Sequence, residues 1–287
     1  MTLPIRTVAI VGAGTMGLGI AQVCAASGFN TILFDLQRSQ VDTAVRSIDK
    51  NLSFLVEKNK ITNEQKNEAL KRITSADRLS ELRADLIIEA AVEKLAVKQQ
   101  LFLELEKINE GGAILATNTS SISVSRIADA LSDKSNCIGY HFFNPADRMK
   151  LVEIISGAET DPSLVEVMKD FSVRIGKIAV VAKDSPGFIV NRVARHFYVE
   201  SLKLLEEGVA DVATIDALLR SSGFKMGPFE LMDLIGVDTN LAVTTSVYEG
   251  FHRNPKFKPS LIQQKLVEQG NFGRKTGKGF YNYDSVN

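Results

Sequence analysis

Cysteine is nearly absent from this chain of 287 residues, with Cys24 and Cys137 the only two. They form no disulfide framework and no CxxC metal pattern, and both read as small buried hydrophobes. Neither sign of charge is in excess: 34 basic side chains face 34 acidic ones. That balance argues against a general nucleic-acid binder, which carries a basic surplus. No apolar run reaches the roughly 20 residues that a membrane-spanning helix needs. The nearest approach, Val8 to Ala26 behind Arg6, has the outline of a secretion signal. Glycines at 12, 14, 17 and 19 break it, and it reads better as strand, turn and helix. Almost nothing precedes that strand, so organelle targeting is not expected and the cytoplasm is. Histidine is also scarce: His141, His196 and His252 lack metal-ligand spacing, so no metal is expected. What remains is 45% hydrophobic and 24% charged, enough for one large domain or two ordinary ones.

Periodicity divides the chain into two styles. Thr7–Val11 is a β-branched run bounded by glycine, a buried strand. A helix follows from about Met16 to Ser27, with Gly28 suited to its C′ position. Asn30–Phe34 is a second strand, ending at Asp35. Val41, Ala44, Val45, Ile48, Leu52 and Leu55 then recur at helical spacing. Thr62 and Gln65 have the spacing of a capping box, opening a helix to about Arg72. Further strands are expected at Leu86–Glu89, Ala113–Thr117, Cys137–Tyr140, Leu151–Ile155 and Ile178–Val181. Strands alternating with helices predict an α/β fold, a mostly parallel doubly wound sheet of Rossmann type. The last strands, around Pro145, are open to a different pairing. Beyond Val181 the pattern is helical: about 186–207, 212–222, 228–235, 238–252 and 260–269, with one strand at 280–283. The expected domains are therefore 1–184, with a helical insertion at about 38–72, and an all-α C-terminal domain over 185–287.

Gly12-Ala13-Gly14-Thr15-Met16-Gly17 is a G-x-G-x-x-G between a strand and a helix, the context its mechanism requires. Gly12 permits the tight turn, Gly14 lets backbone approach a pyrophosphate at the helix N-terminus, and Gly17 allows close helix–strand packing. Asp35 lies 18 residues past Gly17, where an acid accepts the ribose hydroxyls. Its charge repels a 2′-phosphate, favouring NAD over NADP; Arg38 nearby is the counter-argument.

Oxidising an alcohol by hydride transfer needs a base, most often histidine. His196 lies within a helix and His252 at a helix end, where structural roles are the plainer reading. His141 ends a strand, and the carboxyl edge of parallel strands is where ligands bind.

At this point the chain resembles the 3-hydroxyacyl-CoA dehydrogenases, and in size the bacterial short-chain 3-hydroxybutyryl type. The stretches that carry the resemblance are Val11–Gly17, Thr117–Ser121, His141–Pro145, Lys150–Ile154, Pro186–Arg192, Gly227–Leu231 and Lys275–Tyr281. The resemblance implies an NAD-dependent oxidoreductase interconverting (S)-3-hydroxyacyl-CoA and 3-oxoacyl-CoA. It implies His141 as general base and Glu153 as the carboxylate orienting it. Ser120 and Asn191 are implied as donors to the substrate 3-oxygen, the site closing between domains. Alongside Gly12, Gly14, Thr15, Met16, Gly17 and Asp35, it implies Glu93, Lys98, Asn118, Ser120, Asn144 and Lys275 as cofactor contacts. Asn51 and Lys58, in the helical insertion, are the candidates for coenzyme A, a lysine there being able to pair with phosphates. A homodimer through the helical domain is expected.

The rival readings differ in chemistry. A related dehydrogenase on a free β-hydroxy acid would use a lysine, with Lys183 the candidate, and would turn over without coenzyme A. A non-catalytic NAD-binding protein is the other alternative, since fold does not fix function. A nucleotide-sugar dehydrogenase using Cys137 is disfavoured by that residue's apolar strand. No residues remain for a hydratase domain.

Overall fold

The computed structural model describes residues 5–283. They separate into two compact units, one ending at Ser185 and the other starting at Pro186.

The first unit alternates strands and helices: β1 (Thr7–Val11), α1 (Thr15–Ala26), β2 (Asn30–Phe34), α2 (Arg38–Glu57), α3 (Asn63–Lys71), β3 (Ile73–Ser75), β4 (Leu86–Glu89), α4 (Leu95–Ile108), β5 (Ile114–Thr117), α5 (Val124–Ala128), β6 (Cys137–Phe142), β7 (Leu151–Ser156), α6 (Pro162–Arg174) and β8 (Ile178–Lys183). They build one eight-stranded sheet in the order β3-β2-β1-β4-β5-β6-β7-β8. Every neighbouring pair is parallel except β6 and β7, which run antiparallel. Strands β4, β5 and β6 are buried throughout, as expected for a parallel sheet covered on both faces. Ile10, Ile20, Leu33 and Ile48 are fully buried in its core; burying each such side chain stabilises by about 1.5–3 kcal/mol.

The expected Rossmann sheet is present. The capping box at α3 also forms: Thr62 Oγ1 accepts from the Gln65 N–H at 3.2 Å and Gln65 Oε1 from the Thr62 N–H at 2.9 Å. Two expectations need correcting. The helical stretch after Arg38 does not interrupt the βαβ rhythm; α2 and α3 are the crossover to β3, which pairs in parallel with β2. β6 also runs on to Phe142, so His141 is inside the strand and not beyond its end.

The second unit is helical: α7 (Val190–Glu206), α8 (Val212–Ser221), α9 (Pro228–Ile235), α10 (Val237–Gly250) and α11 (Leu261–Glu268). Tyr198, Leu202, Ile215, Phe229 and Met232 form its core. α7 starts later than the apolar spacing predicts, because Gly187 and Phe188 adopt φ of +73° and +50°, outside the helical region. α10 ends at Gly250, leaving His252 beyond it at φ +53°. The strand expected at 280–283 is not formed. Only isolated bridges link Gly273 to Lys278 and Lys278 to Asn282, and the amides of Phe280 and Tyr281 go instead to the Asp233 carboxylate, at 2.9 Å each.

Candidate active site

The dinucleotide loop is built by close approach. Gly12 has φ +103°, and a Cβ there would lie 2.5 Å from the Ala90 carbonyl oxygen; one on Gly17 would lie 1.7 Å from the Gly12 oxygen. No side chain caps α1 and no acid sits in its first turn, so its positive end faces outward for an anion. Asp35 is fixed at the end of β2: Oδ2 accepts from the Ala13 N–H at 2.8 Å and Oδ1 from the Gln37 N–H at 2.9 Å. Beside it lies a groove of about 560 Å³ lined by Val11, Gly12, Asp35, Leu36, Ala91, Val92, Val97 and Leu101 among others. Leu36, 92% exposed, and Val92, 59% exposed, give it an apolar floor suited to a flat heterocycle. A glycine turn, an acid and an apolar slot together fit a dinucleotide. Arg38, the argument for a 2′-phosphate, is engaged by Asp42 at 3.1 Å and by Asp77.

Next along the carboxyl edge is a charged network. Lys98 is 1% exposed and Glu89 0%. The Lys98 ammonium donates to Glu89 Oε1 and Oε2 at 2.6 and 2.8 Å and lies 3.2 Å from Glu93 Oε2. Glu89 also accepts from the Ala91 N–H at 2.7 Å and the Thr117 hydroxyl at 2.8 Å. Glu93 Oε1 takes the Thr119 hydroxyl at 2.5 Å, the Ser120 N–H at 3.1 Å and the Ser121 hydroxyl at 3.3 Å. Burial pushes the Glu93 carboxyl up, but the Lys98 charge and these donors outweigh it and hold its pKa below the usual range. Glu89, the anion that balances Lys98, and Thr117 are not among the cofactor contacts expected from the sequence.

His141 and Glu153 face each other directly across the antiparallel β6–β7 pair. His141 Nδ1 lies 2.8 Å from Glu153 Oε2, with Glu153 wholly buried and His141 5% exposed. An imidazole held at one nitrogen by a carboxylate has its tautomer set. Asn118 secures the same edge: its N–H donates to the Glu89 carbonyl and its Oδ1 accepts from the Phe142 N–H, both at 2.8 Å. Asn144 is exposed in the turn after β6, preceding Pro145 through a cis peptide bond. Lys177 ties that turn down, donating to the carbonyls of Ala146 and Met149 at 2.6 and 2.7 Å.

Lys183, the rival catalytic residue, ends β8 in register with Ser156 and thence Ile138. It is therefore at the amino-terminal edge of the parallel strands, away from His141. His196 is exposed, its ring 5.2 Å from that of Phe257. Cys24 and Cys137 are buried; burial pushes the Cys24 thiol up to about 12 and the Cys137 thiol higher than its usual value. Asn51 Nδ2 donates to the Gln22 side chain at 3.1 Å, and Lys58, exposed after α2, has its ammonium 5.5 Å from the Phe54 ring centroid. In the second unit, Asn191 is in the first turn of α7 and Lys275 pairs with Asp238 at 2.7 Å. Among the described residues, no cluster of three metal-ligating His, Cys, Asp or Glu side chains occurs, and no helix is long and apolar enough to cross a membrane.

Residues 7–185 match the family model described as the 3-hydroxyacyl-CoA dehydrogenase NAD binding domain, and residues 187–283 the 3-hydroxyacyl-CoA dehydrogenase C-terminal domain. The chain belongs to the 3-hydroxyacyl-CoA dehydrogenase family. It is 45% identical to a 3-hydroxyadipyl-CoA dehydrogenase of Escherichia coli over 99% of its own length and 60% of that protein's. It is 42% identical to a 3-hydroxybutyryl-CoA dehydrogenase of Bradyrhizobium diazoefficiens, covering 99% of this chain and 97% of the relative. The crystal structure of an (S)-3-hydroxybutyryl-CoA dehydrogenase from Ralstonia eutropha superposes with a TM-score of 0.93 at 39% identity, over 98% of this chain and 100% of that one. As a 3-hydroxyacyl-CoA dehydrogenase, the protein is an oxidoreductase with a Rossmann domain for NAD.

Proposed function

We propose that the enzyme interconverts (S)-3-hydroxyacyl-CoA and 3-oxoacyl-CoA with NAD, and that 3-hydroxybutyryl-CoA is within its substrate range. The observation that carries this reading is the buried His141–Glu153 pair, with 2.8 Å between Nδ1 and Oε2, on the sheet edge that also carries the dinucleotide loop. NAD supplies the chemistry the side chains lack, accepting a hydride from carbon. His141 takes the hydroxyl proton on oxidation and returns it on reduction. Glu153 orients the ring and stabilises its charged form. Ser120 and Asn191 donate to the 3-oxygen, where negative charge develops on reduction. Gly12, Gly14, Thr15, Met16 and Gly17 wrap the pyrophosphate and Asp35 takes the ribose. Glu93, Lys98, Asn118, Asn144 and Lys275 complete the cofactor contacts. Asn51 and Lys58 contact coenzyme A.

We also assign a cytoplasmic location and a homodimer formed through the helical unit, whose Val193, Val209, Leu218 and Phe224 are exposed. Reduction of acetoacetyl-CoA, followed by oxidation of NADH and of NADPH, tests the function. NADH should be preferred. His141→Ala should leave NADH affinity intact and lower turnover about 10²–10⁴-fold; near-normal turnover in that variant refutes the assignment.

A further inference from the structure

We propose that the Arg195 guanidinium is a subsite for a carboxylate at the far end of the acyl chain, so that the enzyme favours dicarboxylyl-CoA substrates. The proposal rests on the reading above and names its substrate class.

Arg195 lies in α7 and is 3% exposed. Its Nε donates to the Asn191 carbonyl at 3.2 Å, and its Nη1 to the Asn240 carbonyl at 3.0 Å and the Thr244 hydroxyl at 2.9 Å. The Tyr198 ring centroid is 4.8 Å from Cζ. All four partners are neutral, and among the described residues no carboxylate is paired with this cation. Burial holds the guanidinium below its usual value, at about 10, so it stays charged at neutral pH. A guanidinium has five N–H donors in a planar fork. The bonds to Asn191, Asn240 and Thr244 use Nε and Nη1 and leave the Nη2 pair unused among the described residues.

A tie between α7 and α10 does not need a charge; a neutral amide could make the same bonds to a carbonyl and a hydroxyl. Burying a cation without an anion is costly, which points to an anion that arrives with a ligand. Asn191 says where that ligand lies. It is the residue read as donor to the substrate 3-oxygen, and it precedes Arg195 by one turn. Residues four apart share a helix face and are about 6 Å apart along the axis. In a six-carbon dicarboxylic acyl chain, the terminal carboxylate carbon is three carbon–carbon bonds of about 1.5 Å beyond C3. With its oxygens it spans about one helical turn. A chain ending in a methyl group offers the cation nothing. The E. coli relative is named for such a substrate, a 3-hydroxyadipyl thioester.

The test compares kcat/KM for 3-hydroxyadipyl-CoA and 3-hydroxyhexanoyl-CoA, two chains of equal carbon number that differ in the terminal carboxylate. The full chain is used with NAD. The wild-type ratio should be about tenfold or more, since charge-assisted hydrogen bonds carry at least that much discrimination. Arg195→Met should bring the ratio to about one, mainly through KM for the adipyl substrate, and Arg195→Lys should restore part of it. A structural defect would lower both rates and leave the ratio standing. A wild-type ratio near one, or a ratio unchanged in Arg195→Met, overturns the proposal. Should Arg195→Met not fold, a wild-type series of 3-hydroxy dicarboxylyl-CoA thioesters of different length decides: a maximum at six carbons supports the subsite and a flat series overturns it. Oxidation of 3-hydroxybutyryl-CoA runs alongside as the control. If it proceeds while the ratio is near one, only the subsite falls; if no thioester is oxidised, the underlying functional reading falls with it.

Discussion

The two units bury charge in different ways. In the first, Lys98 is buried against the Glu89 carboxylate and the His141 ring against Glu153, while Lys177 is held by two carbonyls. In the second, Asp216 and Asp233, 0% and 1% exposed, are satisfied by amides and phenols. Asp216 accepts from the Phe229 and Glu230 N–H groups at 2.9 and 3.0 Å and from the Tyr281 hydroxyl at 2.8 Å. The first two lie in the first turn of α9, so the carboxylate caps that helix from a distance and opposes its dipole. Asp233 does the same for the C-terminal segment, taking the amides of Phe280 and Tyr281 and the Tyr283 hydroxyl. A carboxylate that replaces secondary structure is architecture. A carboxylate that holds a cation at the sheet's carboxyl edge positions groups for a ligand.

Three measurements can break or sharpen that contrast. Lys98→Met, which strands the Glu89 carboxylate, has the largest expected effect: a loss of about 3–5 kcal/mol in a urea titration, with NADH affinity falling as well. If affinity is unchanged in a folded variant, the network is architectural like that of the second unit. Asp216→Ala comes next. It orphans two amides and a phenol and should cost about 2–3 kcal/mol, while the NADH dissociation constant stays within twofold of wild type. A large affinity change there would erase the distinction. The smallest effect concerns Cys24, an ionisable group kept neutral by burial, its pKa raised from 9.0 to about 12. The folded state holds that proton more tightly than the unfolded one. Its contribution is therefore complete below pH 9 and is lost as pH rises from 9 to about 12. Between pH 8 and 10, wild type should lose about 1 kcal/mol more than Cys24→Ala in chemical denaturation; equal losses would exclude the thiol.

Much of the first unit was legible because its signals are local. A glycine loop between strand and helix, and an acid ending the next strand, each announce their own chemistry. The His141–Glu153 pair was legible only through family resemblance, since a spacing of 12 residues does not say that two strands turn back on each other. Glu89 was overlooked because an acid at the end of an apolar strand looks solvated; its cation is supplied by α4. β3 is three residues long, too short for alternation to show. In the second unit, the aromatic run at 280–283 has strand-like composition, but Asp233 takes its amides and no strand lies alongside. Phe188 at φ +50° was equally hidden, because a bulky side chain gives no sign of left-handed backbone.

The reversal of β7 against β6 has a further consequence. Side chains alternate between the faces of a sheet, so slipping these strands by a single residue would carry the Glu153 carboxylate through to the other side. The His141 imidazole is thus gauged by the stitching of two strands. Insertions or deletions in the turn joining them should be tolerated only when that stitching is preserved, and a protein that mends it one place out would fold, bind its nucleotide and do nothing.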